Sequence, residues 1–222
     1  MTLVDLFRQL SLLVGLPAVL LAAAAAAVVV VARDWRLVIF AYAFLSTMLA
    51  LLLSQLLPTE WALLQAVVGG LIAVMLFLSA RQLRWRPAGP LSWEARWPQV
   101  ASLSSFRALA VVLAAVTFWA VRDRVQLPRV DTLFRDAILW LSLLGLLGLA
   151  LHEEPLHAGL ALLTVLGAFE LLLFALIQDR MLVGFMEGGQ LLLGLAIAYL
   201  VVSRGLAFPD SAGQSDSSGR LQ

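Results

Sequence analysis

Glu170 and Glu187 each interrupt an apolar stretch of about 20 residues, the length that crosses a hydrocarbon core as a helix. A carboxylate at such depth costs at least about 2.5–3.5 kcal/mol on insertion scales, so each needs a partner or a task. Glu170 lies eight residues before Gln178, and Glu187 lies eight residues after Asp179. Folding the chain back on itself at Gln178-Asp179-Arg180 therefore brings both acids to one depth, about 10–12 Å from the turn at 1.5 Å per residue. If both project into the interface of that hairpin, they are neighbours. Two carboxylates in a low-dielectric site cannot both ionise readily, so at least one is expected to keep its proton at neutral pH and to exchange it. At 100° per residue, Glu187, Gln190, Gly194 and Ala198 share one stripe, with Gly184 and Gly188 as a small-xxx-small pair beside it. The chemistry this suggests is a proton relay through Glu170, Glu187 and Gln190, with Gly184, Gly188 and Gly194 providing close helix packing. A structural alternative stays open, in which each acid is a protonated donor to a nearby carbonyl and carries no transport.

Other reactive side chains are few. His152-Glu153 and His157 bring two imidazoles and an acid together, but a zinc-protease helix needs its histidines four residues apart, and here the spacing is five with Pro155 between them. The segment reads as a pH-sensitive, solvated loop between helices, and no metal site is expected. Cysteine is absent, which removes thiolate chemistry, and all fifteen basic residues are Arg, which removes a Lys Schiff base. No nucleophile elbow, phosphate-binding loop or dinucleotide fingerprint occurs. The expectation is a protein without catalytic residues or cofactor, at most a non-catalytic subunit of an oxidoreductase complex. Gln55 and Gln65, polar residues in apolar stretches, read as interhelical hydrogen-bonding groups.

The elements that must position these residues follow from composition. Of 222 residues, 62% are hydrophobic and 13% charged, against roughly 45–50% and about 25% in soluble domains. A water-soluble enzyme is excluded by that balance. The fold class expected is an all-α, polytopic transmembrane bundle in one domain over residues 1–204, with spans near 11–32, 37–57, 62–80, 103–121, 133–151, 158–177 and 181–203. The first span lacks the net positive leader of a cleaved signal peptide and exceeds its usual apolar length. Residues 81–102 carry Arg81, Arg84, Arg86, Trp85, Trp93 and Trp97, a combination suited to the headgroup layer, and read as an interfacial loop. Arg107 sits near the start of the fourth span and is expected to snorkel. Residues 205–222, rich in Ser, Gly and Asp, read as a disordered polar tail. Seven spans put nine Arg on the side of the 81–102 loop and six on the other, so the tail is expected in the cytoplasm. The partners implied are the lipid bilayer of the cell's inner membrane and further membrane subunits; a net charge of +1 argues against nucleic acid.

At the last hairpin, His157 to Gly167, the turn ending in Arg180, and Met181-Leu-Val-Gly-Phe-Met-Glu-Gly-Gly-Gln-Leu-Leu-Leu-Gly194 resemble the first two helices of K-type membrane-arm subunits of NADH-quinone oxidoreductase. Relatives of those subunits occur in Mrp-type cation/proton antiporters and as component E of membrane hydrogenases; Phe185-Met-Glu-Gly-Gly is similar to a segment of the latter. The resemblance implies an intramembrane Glu that serves a proton path in a larger complex. It covers about 45 residues. Aligning the turn Arg puts Gln190 on the family's Glu position and Glu187 one helical turn earlier, while Glu170 falls where the family's first helix is apolar. No counterpart of the family's third helix follows. The function expected is an accessory subunit of a proton- or cation-translocating complex. A purely structural or assembly subunit and a small independent solute transporter are the alternatives; the last calls for inverted repeats, and none is visible.

Overall fold

The computed structural model describes residues 15–82, 104–125, 130–177 and 180–206. These form helices α1 (Leu16–Val31), α2 (Trp35–Leu53), α3 (Thr59–Gln82), α4 (Ser104–Val121), α5 (Thr132–Leu151), α6 (Pro155–Leu176) and α7 (Arg180–Leu206), with no strand among the described residues. Each expected span contains one of these helices. Five of them, α2, α3, α5, α6 and α7, are long and apolar enough to cross a membrane. α1 and α4 are apolar but shorter. The interfacial Arg84, Trp85, Arg86, Trp93 and Trp97 and the polar tail from 207 on lie outside the described residues; Arg81 is exposed in the last turn of α3.

Helix ends follow local chemistry. Asp34 caps α2 by accepting from the Arg36 amide at 3.1 Å. α6 starts at Pro155, three residues before the expected boundary, because a proline in the first turn forfeits no intrahelical hydrogen bond. The proline read from sequence as an interruption is therefore a start, and it takes His157 into the helix. α2 ends at Leu53, and the chain turns through 54–57 before Pro58.

Packing closes a ring in the order α1, α2, α3, α7, α6, α5 and back to α1, with α2 and α6 also touching across it. α4 lies outside, against α5 and α1. Close approach of α5 to α6 depends on Gly145: a Cβ there would sit 2.9 Å from the Val165 backbone nitrogen. The outer faces are apolar, with Leu113 and Trp119 on α4 and Phe185, Leu192 and Tyr199 on α7 more than half exposed. In water such a continuous apolar exterior would drive aggregation, whereas lipid solvates it. The chain is a membrane-embedded helical protein.

The interior consists of two apolar clusters stacked along the bundle. One joins α1 and α5 to the second half of α2, the start of α3 and the end of α6. The other joins the start of α2, the second half of α3, the start of α6 and the end of α7. Between them runs a seam, at residues 43–46 of α2, 63–67 of α3, 164–170 of α6 and 187–190 of α7.

Candidate functional site

The seam gathers the buried polar side chains of the helix interiors: Ser46, Gln65, Thr164, Glu170, Glu187 and Gln190, none more than 3% exposed. Ser46 and Thr164 satisfy themselves locally, donating to the Ala43 and Leu160 carbonyls. The other four converge. Gln65 lies six residues into α3, Glu170 six residues from the end of α6, and Glu187 seven into α7. At 1.5 Å per residue all three sit about 9–10 Å from the same end of the bundle. The stripe read from the sequence faces inward, and along it Glu187, Gln190, Gly194 and Ala198 are all buried.

Gln190 Nε2 donates to Glu170 Oε2. The Gln65 amide and the Glu187 carboxyl also bear on Glu170 at hydrogen-bonding range. Tyr42 of α2, likewise buried, lies within electrostatic reach of both acids. Glu170 Oε1, both oxygens of Glu187 and Gln65 Oε1 are buried with no donor among the described residues. Ionised carboxylates only accept, so the contact between Glu170 and Glu187 becomes a hydrogen bond when one of them carries a proton. Glu187 and the two amides act on Glu170, and Glu170 acts on Glu187, with no described cationic side chain among these groups. Chemically, this is a buried, acceptor-rich cluster in which two acids can share a proton.

The glycines divide. Gly194 packs as expected, since a Cβ there would meet Ile72 at 2.9 Å. Gly184 and Gly188 do not: both are exposed, and a Cβ on either meets nothing within 4 Å. The expected packing role within the chain is corrected to Gly194, because Glu187 and Gln190 set the inward face and Gly184 and Gly188 fall on the outer side of α7. Gln65 and Tyr42 are neighbours of the two acids that the sequence reading did not place there. Gln65 had a signal in the sequence, its depth equal to that of Glu170 from the same end; Tyr42 had none. Gln55 lies exposed in the turn after α2, not within a helix.

At the opposite end, the α5–α6 turn is not solvated as expected. His152 and His157 are 7% and 4% exposed, and their rings lie parallel with centroids 5.0 Å apart. His152 Nδ1 donates to the Gly148 carbonyl at 2.9 Å, and His157 Nδ1 stands 3.0 Å from Glu154 Oε2. Burial pulls the His152 imidazole down from 6.5 to about 4, with Arg107 adding to the effect. Contact with His157 holds the Glu154 carboxyl below its usual range. No cluster of three or more His, Asp or Glu that could hold a metal occurs among the described residues.

No family model matches the chain, and neither a curated protein nor a solved structure is found similar to it.

Proposed function

We propose that this chain is an accessory integral-membrane subunit of a proton- or cation-translocating complex, of the kind represented by complex I, membrane hydrogenases and Mrp antiporters, with Glu170 and Glu187 as its proton relay. The observation that carries the reading is the meeting of two acids from α6 and α7 in a buried seam, with Gln190 and Gln65 as their polar neighbours. The acids hold one proton between them, Gln190 extends the hydrogen-bonded path along α7, and partner subunits supply the redox chemistry and most of the channel. Two acids kept in a dry interior, where apolar residues would pack without cost, are what a relay requires.

The test is Glu187→Gln in the native membrane, with partners identified by gentle detergent purification. The expected result is loss of proton-coupled activity with the assembly intact. Unchanged coupling refutes the relay. The structural-subunit reading has one observation in its favour, the outward Gly184 and Gly188, which leave room on α7 for a neighbouring helix. On that reading Gly188→Leu, and not Glu187→Gln, dissociates the complex.

A further inference from the structure

The pocket holds more acceptors than one proton can serve. A proton between Glu170 and Glu187 satisfies one oxygen of each acid and leaves the second Glu187 oxygen and Gln65 Oε1 buried without a donor. It also leaves a net charge of −1 with no described cationic side chain acting on the pair. Adding a second proton removes the charge as well, so a proton and a cation are alternative ways to neutralise the pair. A small, dehydrated monovalent cation answers both deficits, because it neutralises the remaining charge and takes several oxygen ligands without offering or needing hydrogen bonds. Oxygen donors of this kind, carboxylate and carbonyl, are the set that hard cations select.

We infer that Glu170, Glu187 and Gln65 form a binding site for a small monovalent cation, which competes there with the second of two protons. The inference rests on the proposed relay and names its second cargo. Gln65 enters as a ligand in its own right: it is 2% exposed, bears on Glu170, and has its carbonyl oxygen unpartnered. Gln190 enters as a positioning residue, since its amide donates to Glu170 Oε2 and leaves Oε1 for the site.

The experiment uses the full chain in lipid nanodiscs, sodium as the probe, and a hydrophobic carbodiimide, which modifies protonated carboxyl groups from the lipid phase. Modification of Glu170 and Glu187 is read by mass spectrometry. Modification is expected to slow with sodium chloride but not with choline chloride, and the half-protecting sodium concentration should rise about tenfold for each unit that pH falls, one proton being exchanged per cation. Gln65→Leu should raise that concentration on the order of tenfold or more, the scale on which even outer-shell partners change metal affinity, while leaving acid-driven modification in place. Modification that follows pH and ignores sodium overturns the cation site and leaves the relay standing. Sodium protection unchanged by Gln65→Leu also overturns the assignment. Carboxyls that react equally at every pH, with or without sodium, sink the relay itself.

Discussion

The histidine turn draws its polar partners from within four residues of chain, His152 from Gly148 and His157 from Glu154. The carboxyl pocket draws its partners from three helices, with Gln190 reaching Glu170 across twenty residues and Gln65 arriving from α3. The turn is mostly local, though Arg204 of α7 also donates to the Glu153 carbonyl, and His152 Nε2 and His157 Nε2 are buried with no partner among the described residues. A pocket assembled from α3, α6 and α7 exists only when the ring is closed, and it still leaves oxygens without donors. The difference is one of reach: the turn is held mainly by its neighbours in sequence, whereas the carboxyl cluster depends on contacts that only the tertiary fold supplies.

The sharpest way to break that contrast is to remove one acid. Glu170→Leu leaves Glu187 and the Gln190 amide buried without their partner, at about 1–3 kcal/mol for each group, read as a lowered melting temperature in detergent. Glu170→Leu with Glu187→Leu should cost less than the two single changes added together, with a coupling of about 0.5–3 kcal/mol. Strict additivity would show that the acids are not one site.

A second comparison sets two glycines against each other. Gly145→Leu drives a side chain into the Val165 backbone and should cost about 1–3 kcal/mol or more. Gly188→Leu points into open space and should stay within about 0.5 kcal/mol of the parent. Equal losses would mean that Gly188 is packed within the chain after all.

The turn has its own signature in pH. His152 binds a proton less readily when folded, at about 4 against 6.5, so between those values the unfolded chain holds more protons. Stability is therefore full above pH 6.5 and falls as the pH drops toward 4. Glu154, held below its ordinary 4.5, adds a further loss under that value. His152→Phe keeps a ring against His157 and should flatten the slope between pH 6.5 and 4 in thermal melts. An unaltered slope would assign the titration to another group.

A small effect also belongs to the helix cap. Asp34→Ala removes the acceptor for the Arg36 amide and should cost about 1 kcal/mol or less, with no change in carbodiimide modification of Glu170 or Glu187. A changed modification rate would couple the distant end to the seam and blur the separation of the two regions.

Much of this architecture was readable in one dimension. Runs of apolar residues longer than the bilayer is thick leave the backbone no option but helix, so the helical stretches and their order follow from composition alone. The shared depth of Glu170 and Glu187 followed from counting residues either side of a short turn, since helical rise is fixed. The 100° periodicity also put Glu187, Gln190 and Gly194 on one stripe correctly. Periodicity does not say which way a stripe faces, and in lipid the usual clue, apolar inside and polar outside, is lost because both sides are apolar. Spacing alone therefore suggests packing for Gly184 and Gly188, which face outward, and an interruption at Pro155, which starts a helix and carries His157 into the interior. Only the closed ring decided that Gln65 of α3 and Tyr42 of α2 would flank the acids. Those contacts span more than a hundred residues, and they depend on how seven cylinders choose neighbours, a choice made by side-chain packing across the whole bundle that no local stretch encodes.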